Sequence, residues 1–262
     1  KNVIGNMRQD VHRIKKSRIY ILISMNKKYL IFGATGSIGS SLANQMYEEK
    51  EDCHLIGRNE KELKEIANKL NYSYSVCDVL KLNFADNLFK KLAGTEILGI
   101  AYCVGSIDLK PLRITKPKDF VSSYVLNLVA ATDIIRIFQD NLKRNNGSIV
   151  MFSTVAAKKG FPNHSIISPA KAAVEGLTVA LAAELAPHIR VNCIAPSLTK
   201  SKMSAFVLQN LKSIDSISKL HPLKRIGEGF DAANLTKFLL SKDSSWITGQ
   251  IIGVDGGRGA IA

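Results

Sequence analysis

Three glycines at three-residue spacing, Gly33, Gly36 and Gly39, constrain this chain more than any other feature. A short apolar run, Tyr29 to Phe32, ends at the first of them, and Leu42, Ala43 and Met46 follow at helical spacing. The pattern predicts a strand, a tight turn and a helix. Glycine permits the turn and lets backbone approach a bound group with no Cβ in the way. A helix start in that position offers free N–H groups and a partial positive charge to an anion. In an α/β sheet this is where a pyrophosphate is held.

The rest of the chain repeats the alternation. Short apolar runs at His54–Ile56, Tyr74–Val76, Ile97–Tyr102, Ser148–Phe152, Val191–Ile194 and Ile251–Val254 predict strands. Between them, helical spacing marks Leu63, Ile66, Ala67 and Leu70, then Phe84, Leu88, Phe89 and Leu92. A long helix is expected over about 117–142, one over Ala170–Ala186 stopped by Pro187, and one over Ala232–Leu240. Strand and helix in strict turn imply an α/β fold: a single doubly wound parallel sheet with helices on both faces. Ligands then bind beyond the carboxyl ends of the strands. Residues 25–262 read as one domain, with a polar, irregular segment at about 199–226 expected to fold over the ligand as a lid. In it Met203, Phe206, Val207 and Leu211 suggest a partly apolar wall. Residues 1–24 look foreign to the domain, with Lys1, Arg8, Arg13, Lys15, Lys16 and Arg18 against Asp10 alone. They read as a flexible basic extension upstream of a start at Met25, a targeting leader being the alternative.

Composition narrows the function classes. No apolar run approaches the ~20 residues of a membrane helix, so no membrane role is expected. Four scattered cysteines, Cys53, Cys77, Cys103 and Cys193, have no paired spacing and fit buried thiols in the cytoplasm. Five histidines show no metal spacing, so no metal is expected. The net charge of +14 comes without a nucleic-acid motif or basic–aromatic interleaving. It reads as solvated lysine faces, and no nucleic-acid partner is expected.

The second predicted strand ends at Gly57-Arg58, where an acid would bind a ribose 2′-hydroxyl. Arginine there suits a 2′-phosphate through charge-assisted bonds, so NADP(H) is expected over NAD(H). Asp78, after the third strand, either accepts from an adenine amino group or caps the next element.

Gly33-Ala-Thr-Gly-Ser-Ile-Gly39, Cys77-Asp-Val79, Asn127, Ser153-Thr154, Lys171-Ala-Ala-Val-Glu-Gly-Leu177, Arg190-Val-Asn-Cys-Ile-Ala-Pro196 and Thr248-Gly-Gln-Ile-Ile-Gly-Val-Asp-Gly-Gly257 together resemble the short-chain dehydrogenase/reductase family over residues 27–258. The resemblance implies a seven-stranded Rossmann-type sheet, a homodimer or homotetramer, and hydride transfer between a nicotinamide and a small carbonyl or alcohol. It assigns Gly33, Thr35, Ser37, Ile38, Gly39, Arg58, Asp78, Val79, Gly105 and Lys171 to the cofactor. It also gives Asn127 the support of Lys171 through a water, Lys171 the nicotinamide ribose and the lowering of the acid's pKa, and Thr154 the place of a serine that polarises the carbonyl.

The family's tyrosine acid is absent. Ile167 stands four residues before Lys171 and has no proton to give. His164 is the candidate replacement, since imidazole titrates near neutrality. Ser165 and Ser168 are possible relays, and Tyr102 and Tyr124 could reach in from other elements. Three readings follow: an NADP(H)-dependent oxidoreductase with Asn127, Thr154, Lys171 and His164 in its site; a same-fold enzyme of changed chemistry, such as enoyl reduction or dehydration; or an NADP(H)-binding sensor or scaffold without turnover.

Overall fold

The computed structural model describes residues 26–261; the basic extension 1–24 and Met25 lie outside them. Seven strands form one parallel sheet in the order β3-β2-β1-β4-β5-β6-β7. They are β1 (Lys27–Phe32), β2 (Cys53–Gly57), β3 (Ser73–Val76), β4 (Glu96–Tyr102), β5 (Ser148–Phe152), β6 (Arg190–Pro196) and β7 (Ile251–Val254). The main helices are α1 (Ser37–Glu48), α2 (Glu60–Leu70), α3 (Phe84–Lys91), α4 (Pro117–Tyr124), α5 (Ala130–Arg144), α6 (Ile167–Leu185), α7 (Leu211–Lys219) and α8 (Gly229–Leu240).

Alternation within β1 builds both layers. Leu30 and Phe32 face one core with Leu88 of α3, Phe138 of α5 and Val174 of α6. Tyr29 and Ile31 face the other, with Leu42 of α1, Leu63 of α2 and Leu239 of α8. Leu30, Ile31 and Phe32 are fully buried, as a central parallel strand covered on both sides requires. The strand order reverses at β1, which is flanked by β2 and β4. That reversal opens a crevice above its carboxyl end.

The expected long helix is present, and two features depart from the sequence reading. The long helix is one span of 28 residues, Pro117–Arg144, and is apolar and long enough to cross a membrane by length and composition. Its buried face, including Ile134, Phe138 and Leu142, packs in the core with β4 residues Ile97 and Ile100, as a core helix does. Its middle, Val125–Val129, widens to a π-helix, a backbone change with no sequence signal. Helix α6 begins at Ile167, not Ala170, because Pro169 falls in the first turn, where its missing N–H has no intrahelical partner to lose.

Candidate active site

The carboxyl ends of β1, β4, β5 and β6 open into one cleft of about 580 Å³. The glycine turn forms one end. Gly33 has φ +73°, and a Cβ there would stand 2.8 Å from Cys103 O. A Cβ on Gly39 would come within 2.4 Å of Gly33 O. Only glycine allows this packing. Gly36, at the helix N-cap, has no side chain to bond the first-turn N–H groups of α1. Those donors, at Ser37, Ile38 and Gly39 on the cleft wall, remain for an anion. Thr35 and Arg58 continue the same wall. Facing Arg58 from the segment after β6, Lys202 pairs with Glu62 of α2 at 2.7 Å.

Lys171 forms the other half of the site. It is buried on α6, and its Nζ donates to Phe152 O at 2.8 Å. Burial pushes its ammonium down to about 8. Gly105 exists to make room for it: a Cβ there would stand 3.0 Å from both Lys171 Nζ and Asn127 Oδ1. Asn127 owes its position to the π-helix. In that turn the Ala130 N–H bonds to Val125 O, five residues back. Asn127 Nδ2 takes up Ser123 O at 2.8 Å. Its Oδ1 is buried with no partner among the described residues. A buried carbonyl oxygen left over beside an ammonium calls for a water or ligand donor.

Two hydroxyls follow β5, and their bonding separates them. Ser153 donates to Glu175 Oε1 at 2.8 Å. Thr154 Oγ1 accepts from Ala156 N at 3.3 Å, which leaves its O–H to donate into the cleft. His164 lies on the cleft wall with Nδ1 2.7 Å from Pro162 O. A carbonyl only accepts, so Nδ1 carries a hydrogen toward Pro162 O. Ile167 is buried on the same wall.

Other sequence candidates lie elsewhere. Asp78 and Val79 do not line the cleft. The Asp78 carboxylate accepts the Leu80 N–H at 3.1 Å, capping the turn ahead of α3, and Val79 is core. Tyr102 is buried, its hydroxyl donates to Leu126 O at 2.8 Å, and burial raises its pKa. It cannot supply the proton. Tyr124, Ser165 and Ser168 do not line the cleft, nor do Phe206 and Leu211, whereas Met203 and Val207 do. Cys103 does line it, but burial pushes its thiol up to about 12, so it stays protonated. Sequence reading missed Glu62 and Arg258, whereas Lys202 falls in the 199–226 segment expected over the ligand. Arg258 had a signal: it follows Gly256 and Gly257, whose positive φ values turn the chain back after β7.

The chain is similar over most of its length to known proteins. The family model described as Enoyl-(Acyl carrier protein) reductase matches residues 33–258. The 3-oxoacyl-(acyl-carrier-protein) reductase of Rickettsia bellii is 34% identical over 233 residues, covering 87% of this chain and 95% of that protein. A tropinone reductase homolog of Arabidopsis thaliana is 31% identical, covering 88% and 91%. Among solved structures, ElxO with NADP bound matches with TM-score 0.81 at 26% identity, covering 89% of this chain and 98% of that one. A NAD(P)-dependent gluconate 5-dehydrogenase from Beutenbergia cavernae, also with NADP bound, matches with TM-score 0.83 at 26% identity, covering 88% and 96%.

Proposed function

The chain belongs to the short-chain dehydrogenase/reductase family, and from that premise we propose that it is an NADP(H)-dependent oxidoreductase of a small carbonyl or alcohol. The carrying observation is the buried Lys171 ammonium beside the unpartnered Asn127 Oδ1, on the floor of a cleft whose far wall is the glycine turn and Arg58. A scaffold has no need to bury an ammonium at such desolvation cost.

When bound, a nicotinamide cofactor supplies or accepts the hydride. The residues fit such a group: uncapped N–H donors at Ser37–Gly39 suit the pyrophosphate, and Arg58 suits a 2′-phosphate. Lys171 Nζ is placed to hold ribose hydroxyls, with Asn127 Oδ1 accepting from a water between them. The free O–H of Thr154 polarises the carbonyl oxygen, as an electrostatic stabiliser of the developing alkoxide. His164, protonated, donates from Nε2 to that oxygen.

Ile167 supports a second reading, an NADP(H)-binding protein without turnover. A tyrosine-to-phenylalanine variant of ElxO also holds NADPH, so in that relative the cofactor binds with one phenol lost. Fluorescence titration with NADPH and then NADH, followed by turnover against a panel of ketones, separates the readings. The oxidoreductase reading expects NADPH to bind at least tenfold tighter than NADH, Arg58→Ala to remove that gap, and His164→Ala to cut turnover. Binding without turnover leaves the sensor; no binding of either cofactor overturns both. A homodimer or homotetramer in the cytoplasm completes the proposal.

A further inference from the structure

Three cations on the cleft wall, Arg58, Lys171 and Arg258, have no ion-pair partner among the described residues; the first two have roles above, and Arg258 has none yet. Arg258 is half-buried, with its guanidinium over the Phe161 ring at 4.9 Å from the centroid. Phe161 in turn packs on His164, ring centroids 5.4 Å apart. The Arg258 carbonyl accepts from Lys159 Nζ at 3.1 Å. A Cβ on the next residue, Gly259, would stand 3.3 Å from Val155 Cγ1. The segment is therefore held at the Thr154 end of the cleft. Arg58 lies across the sheet, after β2, whereas Arg258 follows β7.

Neighbouring charges are already engaged. Lys202 pairs with Glu62, and Lys158 with Glu175 at 3.8 Å. Asp255, the acid nearest in the chain, holds the Gly257 and Gly259 N–H groups with its two oxygens. No carboxylate pairs with Arg258 among the described residues. A guanidinium over an aromatic ring can still present its N–H donors to a bidentate anion. Arginine is charged at all working pH values, so Arg258 stands on the cleft wall as a cation with no carboxylate partner among the described residues.

We infer that Arg258 anchors an anionic group, carboxylate or phosphate, on the carbonyl substrate. The inference rests on the oxidoreductase reading for the carbonyl, not for the anion. It makes the enzyme selective for charged ketones over neutral ones of the same shape.

The test uses substrate pairs that differ in charge. Acetoacetate is compared with ethyl acetoacetate, and S-acetoacetyl-4′-phosphopantetheine with S-acetoacetyl-pantetheine, by NADPH oxidation. Acetoacetate and the phosphopantetheine thioester are also titrated calorimetrically into cofactor-free protein. The expected result is a preference in kcat/KM of roughly tenfold to a hundredfold for the charged member of one pair. Which pair shows it tells carboxylate from phosphate. Arg258→Gln brings that ratio to about one, Arg258→Lys keeps part of it, and Lys242→Gln, an exposed lysine off the cleft, leaves it in place. A wild-type ratio near one, or a ratio indifferent to Arg258→Gln, overturns the anion site and leaves the reductase standing. Calorimetric binding that needs Arg258 in a protein indifferent to NADPH upholds the anion site and overturns the reductase. Neither binding nor turnover overturns both.

Discussion

Lys171 and Ile167 are adjacent turns of one helix and carry opposite consequences. The folded ammonium of Lys171 titrates near 8 because it is buried, against 10.5 for the free side chain. Below pH 8 both states hold the proton, and the folded state bears the full burial penalty. Between pH 8 and 10.5 the unfolded chain binds more protons, so stability rises with pH. Lys171→Met lacks that rise. Urea unfolding of cofactor-free protein at pH 7.5 and 10.5 should show wild type gaining on the variant by up to ~3 kcal/mol. Parallel pH profiles would mean that the amine is solvated. Ile167 is the complementary case, an apolar residue where a proton source is needed. Ile167→Tyr places a phenol on the cleft wall one helical turn before Lys171, whose charge lowers the phenol's pKa. General acids contribute on the order of 10²–10⁴ in rate, so carbonyl reduction should rise at least tenfold. In that background His164→Ala should become silent. A variant that binds NADPH as before and is no faster would show that the missing proton source does not limit this enzyme.

At the scale of elements, the glycine turn depends on a helix nearly two hundred residues away. Gly229 opens α8, and a Cβ there would lie 2.3 Å from Ser37 O at the start of α1. Gly229→Ala must push α1 off its phosphate-facing position. Overpacking of this kind costs ~1–3 kcal/mol, and the NADPH dissociation constant should rise about tenfold. Gly176→Ala, on α6 with open space around it, should instead stabilise by ~0.5–1 kcal/mol through helix propensity. Melting curves and NADPH titration of both variants check the contrast; equal losses would mean a general intolerance of added volume. The same contrast explains what was legible in the sequence. β5 and β7 were bounded as they are found, because parallel strands read as unbroken apolar runs. The glycine turn and Lys171 were legible because their local pattern is the chemistry. Asp78 was legible only as two alternatives, a cap or an adenine acceptor, and its carboxylate does cap the turn. The π-helix that aims Asn127 was invisible, because five-residue bonding leaves no periodic trace. Arg258 was marked only by the two glycines before it; its reach to the cleft comes from the return of the chain after β7, a tertiary fact.

Across the whole molecule, the surface is not uniformly polar. Val121 and Val129 on the long helix are 61% and 51% exposed, and Val179 on α6 is 52% exposed. Helices α4 and α6 are packed side by side, so these valines belong to one outer layer. Elsewhere, Trp246, just ahead of β7, is 99% exposed, and Phe230 and Phe238 of α8 are 50% and 38% exposed. β7 ends the strand order, with one side free of a neighbour. Unprotected edges and contiguous apolar surface are hazards a monomer avoids and an assembly covers. Two separate faces on one chain favour closed symmetry with two kinds of contact, and so a tetramer built from dimers. Light scattering should therefore give four times the chain mass at micromolar concentration. Trp246→Asp should halve it, and adding Val121→Glu with Val179→Glu should yield monomers. NADPH binding should persist in the Trp246→Asp dimer, because Trp246 does not line the cleft. A wild-type monomer, or a tetramer indifferent to all three substitutions, would mean that these faces meet something other than another copy.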